Sequence, residues 1–329
     1  MRYERSGAVL RVLLLVAAAL ALGALGVVAR DAFDLRADSG PILAHGPFGP
    51  EGPRMREQLW MLPSGDSGRA LRATVFRPPE PHAASRARFP LALINHGSDD
   101  ATREAASMPV YYWLSRWFVE RGYVVVLPQR RGFGATGGTV AEMRDVCRDP
   151  DHYGSGQAAA DDIESVLRYM SAQPWIEPAR SVVVGISTGG WASLALAARR
   201  PPNLGMVINF AGGRGGHAYG VPNEICAPDR LVEAAGVYGR TAKAPTLWLY
   251  ASNDSYFGSD IAGRMAKAWT EHGGRAELIQ LPPYGREGHA LADDRAGWDL
   301  WGGPLERFLQ RYSAPVVAER VDAANSQRP

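Results

Sequence analysis

Apolar positions along the chain follow two rhythms that alternate over most of its length. Residues 58–62 and 71–76 are short extended pieces on either side of the turn formers Pro63-Ser64-Gly65-Asp66-Ser67-Gly68, which predicts an antiparallel hairpin. Past a polar loop at 78–90, compact apolar runs at 91–95, 123–127, 182–184, 206–210, 245–251 and 276–281 predict strands. Between them, 111–121, 156–172, 192–198, 259–272 and 298–312 have helical character, and in the second of these Ile163, Val166, Leu167 and Met170 share one face. Strands that are apolar throughout and alternate with helices imply a mostly parallel, doubly wound sheet covered on both faces, an α/β fold.

The most informative stretch is 181–199, SVVVGISTGGWASLALAAR, which passes from β-branched residues through Gly185-Ile186-Ser187-Thr188-Gly189 into an alanine- and leucine-rich helix. A serine at the apex of so tight a strand–turn–helix has its hydroxyl pushed out of the fold. Gly185 and Gly189 stand where strand and helix approach too closely for a Cβ. This is the setting required of a nucleophile elbow, G-x-S-x-G.

Length and charge then narrow the class. A chain of 329 residues can bury a large core, and it reads here as one main domain. The 36 Lys and Arg nearly balance the 34 Asp and Glu without a long basic block, which argues against a nucleic-acid partner. Residues 37–54 are rich in Gly and Pro and predict an irregular lead-in. At the amino terminus, Arg2, Arg5 and Arg11 precede eighteen residues, 12–29, made only of Val, Leu, Ala and Gly. That pattern predicts a signal peptide or signal anchor over 1–29, hence a periplasmic or secreted protein, touching membrane only through this segment if it is retained. In an oxidising compartment the two cysteines, Cys147 and Cys226, are expected to form a disulfide. Neither has a second Cys or a His at metal-ligand spacing, so no metal site is expected.

Together these features resemble the α/β-hydrolase superfamily, and within it the dienelactone-hydrolase-like group, over roughly residues 58–313. Three motifs carry the resemblance in order: Asn95-His96-Gly97-Ser98 after an early strand, the Ser187 elbow, and a late Asp and His. The superfamily order is serine, acid, histidine. The resemblance therefore implies Ser187 as nucleophile, Asp254 as the acid, 254 − 187 = 67 residues later, and His289 as the base, 289 − 254 = 35 residues beyond that. Asp260 is the next candidate for the acid. The oxyanion donors implied are the N–H groups of Thr188 and Ser98, with Gly97 as a further possibility, while His96 reads as a packing and hydrogen-bonding residue. Arg131, Trp191, Tyr219, Tyr256 and Phe257 are expected around the mouth as substrate-binding residues, with core packing as the other reading of Trp191.

The name-giving dienelactone hydrolases carry cysteine at the elbow. Ser187 stands there in this chain, so the cyclic-lactone substrate is not carried over. The span 212–244, where this superfamily commonly inserts a lid, holds seven glycines and only a short helix-like piece at 229–235, so no large cap domain is expected. The domain plan is then a signal segment at 1–29, an irregular lead-in at 30–57, a catalytic domain at 58–313 and a tail at 314–329. The expected function is an exported serine hydrolase that cleaves small carboxylic esters through an acyl-enzyme, with no cofactor. An exported acyltransferase using the same residues, a peptidase, or a non-catalytic binding module are the alternatives.

Overall fold

The computed structural model describes residues 44–66, 68–79, 88–98, 102–143 and 147–312, without the side chains of 178–180. The expected signal segment, 1–29, and the tail, 314–329, lie outside the described residues. Among the described residues nine strands form one sheet: β1 (Gly46–Phe48), β2 (Gln58–Pro63), β3 (Ala70–Phe76), β4 (Phe89–Asn95), β5 (Val124–Gln129), β6 (Ile176–Ile186), β7 (Leu204–Phe210), β8 (Thr246–Ala251) and β9 (Ala276–Leu281). Their spatial order is β1-β2-β3-β5-β4-β6-β7-β8-β9. The first three strands pair antiparallel with one another, and β3 pairs antiparallel with β5. From β5 to β9 every pairing is parallel.

Among the described residues six α-helices cover this sheet: α1 (Tyr112–Val119), α2 (His152–Ser171), α3 (Thr188–Arg199), α4 (Pro228–Gly239), α5 (Ser259–Glu271) and α6 (Arg295–Tyr312). Period-two alternation along the strands separates two cores. Val183 packs in the core shared with Ile163, Leu194, Leu231 and Trp269 of α2, α3, α4 and α5. Its neighbours Val182 and Val184 pack in the core shared with Leu114, Trp117, Trp301 and Phe308 of α1 and α6. The sheet is therefore covered on both faces, which is why its central strands are apolar throughout.

Of the boundaries that differ from the sequence reading, three bear on the architecture. The Gly- and Pro-rich lead-in contains β1, an edge strand paired with β2 through Gly46↔Met61 and Phe48↔Leu59. Tolerance of Gly and Pro at sheet edges is the physical reason it escaped notice. Helix α6 starts at Arg295, not 298, because the Asp294 carboxylate accepts from the Gly297 N–H at 3.0 Å and so satisfies the first turn. Helix α4 runs from Pro228, with proline in its first turn, to Gly239. It buries Leu231, Ala234, Ala235 and Tyr238 in the helical layer, so the 212–244 span contributes a layer helix and no large cap.

Cys147 and Cys226 are joined in a disulfide that closes a 79-residue separation and ties the glycine-rich passage after β7 to the loop before α2. Among the described residues no helix is long and apolar enough to cross a membrane.

Candidate active site

Strand β6 ends at Ile186 and helix α3 begins at Thr188, leaving Ser187 as the single residue of the bend. Its backbone sits at φ 55°, ψ −124°, a conformation that a side chain rarely adopts and that the neighbouring structure must hold. The Ser187 N–H donates to Phe210 O at 3.0 Å, and its carbonyl accepts from the N–H groups of Trp191 at 3.0 Å and Gly213 at 3.3 Å. A Cβ on Gly189 would come within 2.2 Å of Asn95 O, so only glycine lets α3 start against the end of β4. Thr188 is the first residue of α3, and its N–H has no partner within the helix, as at any helix start.

Asp254 and His289, the expected acid and base, come from loops after β8 and β9. Asp254 is buried, and its Oδ1 accepts from the N–H groups of Tyr256 at 2.8 Å and Phe257 at 2.9 Å. His289 Nδ1 lies 3.1 Å from both carboxylate oxygens of Asp254. With Nδ1 turned to the carboxylate, the neutral ring carries its hydrogen there and leaves Nε2 as the basic nitrogen. The loops are stitched together by Asn253, whose amide donates to Tyr284 O at 3.1 Å and accepts from Tyr284 N at 2.8 Å.

Ser187 and His289 line the same cavity of about 340 Å³, together with Gly97, Ser98, Tyr111, Ile186, Tyr256, Ala290, Ala292 and Asp293. A second cavity, of about 690 Å³, shares Gly97, Tyr111 and Asp293 with the first and so adjoins it. The structure thus gathers Ser187, Asp254, His289, Ser98 and Tyr256 at one site, with Thr188 next to the serine.

The loop bearing Gly97 and Ser98 rests on a buried polar lattice. Arg130 donates to both oxygens of the Glu142 carboxylate at 2.8 and 3.2 Å and to His96 O at 2.6 Å. The Arg130 N–H donates to His96 Nε2 at 3.1 Å, so the His96 hydrogen is on Nδ1, 2.6 Å from Gly97 O. Burial, helped by the nearby Arg130 charge, pulls His96 down to about 3. It is a neutral structural ring. The Glu142 carboxyl is held below its ordinary value: burial opposes its charge, but the Arg130 and Arg214 guanidinium groups outweigh that.

Four of the residues expected at the mouth are elsewhere. Arg131 pairs with Asp162 at 2.7 Å, anchoring α2, because a carboxylate buried there needs a counter-charge. Trp191 is fully buried and donates from its indole to His152 O at 2.8 Å, so its other reading, core packing, is the correct one. Tyr219 is 85% exposed and does not line the cavity. Phe257 is buried, its ring centroid 5.7 Å from the His289 imidazole, and does not line the cavity. Asp260, the reserve acid, is on the surface of α5, 3.8 Å from Arg264.

Sequence reasoning missed Tyr111, which it placed inside a helix. The residue instead precedes α1 in the left-handed region, at φ 37°, and its hydroxyl accepts from the Gly97 N–H at 3.3 Å. Burial pushes its phenol up to about 12, so the hydroxyl keeps its proton and has it to donate. The Gly97 N–H, one of the expected oxyanion donors, is thus engaged with Tyr111. Among the described residues no group of three or more His, Cys, Asp or Glu is placed to hold a metal ion.

Strand order, elbow and the Ser–Asp–His order define an α/β-hydrolase. The chain belongs to the X-Pro dipeptidyl-peptidase (S15) family, whose model matches residues 67–293. No curated protein matches it in sequence. In three dimensions it is similar to a dienelactone hydrolase described as putative, from Klebsiella pneumoniae subsp. pneumoniae, at TM-score 0.52 and 16% identity, over 78% of this chain and 98% of that one. It is also similar to an acetyl xylan esterase from Paenibacillus sp. R4, at TM-score 0.56 and 14% identity, over 87% and 93%. A puromycin-hydrolyzing peptidase of Mycobacterium tuberculosis aligns at TM-score 0.55 and 19% identity, over 78% of this chain but 40% of that one. The chain likewise spans only 35% of Porphyromonas gingivalis dipeptidyl peptidase 4. At these identities the likeness is one of fold.

Proposed function

We propose that this α/β-hydrolase is an exported serine enzyme that cleaves small carboxylic esters through an acyl-enzyme. The observation that carries the reading is the common cavity of Ser187 and His289, with the His289 ring held by buried Asp254. In this scheme His289 Nε2 takes the Ser187 proton as Oγ attacks the ester carbonyl. Asp254 stabilises the imidazolium, and the N–H groups of Thr188 and Ser98 receive the oxyanion. Collapse expels the alcohol, which takes the proton from His289, and water repeats the sequence to release the acid. The substrate partner is a small-molecule ester, and no step calls on a metal or organic cofactor.

The walls support small acyl groups: Tyr256 forms part of the cavity at the serine, and the 212–244 span supplies no apolar roof. A chain-length series of soluble aryl esters is expected to show kcat/KM falling from acetyl or butyryl toward long acyl groups, with roughly 1–3 kcal/mol of discrimination per misfit methylene. An optimum at about ten carbons or more would overturn this. The family match favours one rival, a peptidase. Anilides matched to the same esters decide between them: faster turnover of an X-Pro anilide than of the acetyl ester would make peptide cleavage the function.

Export is supported by the Arg-flanked apolar run at 12–29 and by the Cys147–Cys226 disulfide. Mass spectrometry of protein from its host is expected to find either loss of about the first 29 residues or membrane retention, and no alkylatable thiol. A soluble cytoplasmic chain of full length with two free thiols would contradict it.

A further inference from the structure

The base is held by more than its carboxylate. His289 lies in the short 3-10 turn Gly288–Ala290, after a loop whose Pro282 and Pro283 are exposed, and Asp254 grips the imidazole at one edge only. A flat ring held at one edge can still rock about that bond. Its face is covered by Tyr256, with ring centroids 4.3 Å apart and planes 26° apart. The other face of Tyr256 is covered by His217, at 3.5 Å and 11°. Three rings from three loops therefore form one stack.

A chain of hydrogen bonds runs beside the stack. Ser255 donates its hydroxyl hydrogen to Glu287, so its oxygen must accept from His217 Nε2, 2.8 Å away; this places the His217 hydrogen on Nε2. Glu287 also accepts from the N–H groups of Ser255 at 3.1 Å and of His289 itself at 2.9 Å. Burial opposes the Glu287 charge, yet these bonds and the nearby His289 keep its carboxyl below the ordinary value. His217 comes from the glycine-rich passage after β7, whose ends are closed by the Cys226 N–H donating to Gly215 O at 2.8 Å and by the Cys147–Cys226 disulfide. It sits in the left-handed region at φ 55°, which an unbraced histidine would leave.

We propose that His217 is a positioning residue for the base, holding the ring and loop of His289 in place through Tyr256 and through Ser255 and Glu287. The inference rests on the serine-hydrolase reading above. It gives the disulfide-tied passage an indirect part in turnover: His217 lies behind Tyr256, outside the set of residues that line the cavity, and acts on the reaction through the seating of His289.

The test is kcat per active serine, with active serines counted by end-point labelling with a fluorophosphonate and turnover followed with an aryl acetate. A merely structural role would reduce the number of labelled serines and leave each one working normally. His217→Ala is expected to label fully and to lower kcat per serine roughly tenfold, with KM changed less than about twofold, as a small misplacement of a catalytic group does. His217→Phe, which restores a flat ring over Tyr256 without the donor, is expected to recover part of the loss. Ser255→Ala, which breaks the hydrogen-bond chain but leaves the stack, is expected to lie between wild type and His217→Ala, and serves with His217→Phe if His217→Ala does not fold. Combined with Glu287→Gln, His217→Ala is expected to cost little more than the worse single change, because both act along one chain. Normal kcat per serine in the His217 variants, or losses that multiply in the double variant, would overturn the proposal. A wild-type protein in which Ser187 takes no label would overturn the hydrolase reading itself, and that result is recognised before any variant is compared.

Discussion

Ser187→Ala and His289→Ala are each expected to lower kcat for an aryl acetate by about three orders of magnitude or more, with the fold and the thermal transition retained. The size of the effect follows from how the parts depend on one another. A hydroxyl at neutral pH is a poor nucleophile unless a base takes its proton as it attacks, and His289 supplies the only imidazole on the wall of that cavity among the described residues. Removing either partner stops the same step, so the double variant is expected to be no slower than the single ones. Asp254→Asn is expected to lose a comparable or smaller factor. It keeps the hydrogen bonds from Tyr256 and Phe257 but no longer fixes the tautomer or offsets the imidazolium charge. Steady-state kinetics on purified variants check this, and near-wild-type turnover by Ser187→Ala would remove the mechanism altogether.

Glu142→Gln is expected to destabilise the fold by about 3–5 kcal/mol, read as a lower midpoint in urea. The carboxylate is 3% exposed and faces two guanidinium groups, with Arg130 at 2.8 Å and Arg214 at 3.7 Å. Neutralising it leaves two buried cations facing an amide. The pH dependence has a definite sign. Because the folded carboxyl titrates below its ordinary value, its contribution is complete above the pH at which an unfolded glutamate ionises, and is lost as pH falls through the lower folded value. The wild type is therefore expected to lose stability on acidification through that window, and Glu142→Gln to lose less. Activity should fall as well, since Arg130 also holds the His96 carbonyl next to the Gly97–Ser98 loop. A Glu142→Gln midpoint equal to wild type would show that the cations find other partners.

Several features of this protein follow from short stretches of chain. The elbow is legible because its physics is local: Val182 to Val184 require a strand, Ala192 to Ala198 suit a helix, and two glycines flank the one residue between. The layered α/β architecture is legible because wholly apolar strands demand cover on both faces. Asp254 and His289 are singled out by the superfamily resemblance, whose chain order points to a strand end and to the loop after the last strand, and the structure places the two 3.1 Å apart.

What the tertiary structure decided is the direction of side chains whose partners are far away in sequence. Arg131 and Trp191 look like mouth residues by their position near the motifs, yet the buried Asp162 claims the first and the His152 carbonyl the second. Tyr111 joins the site because it leaves helical geometry and turns its hydroxyl to Gly97. Glu287 and His217 carry no motif, and their meeting at Ser255 depends on three loops being brought together by β7, β8 and β9. A local pattern specifies backbone because the backbone responds to its nearest neighbours. It does not specify which buried charge or ring a side chain will meet, because that depends on contacts made only when the sheet has closed.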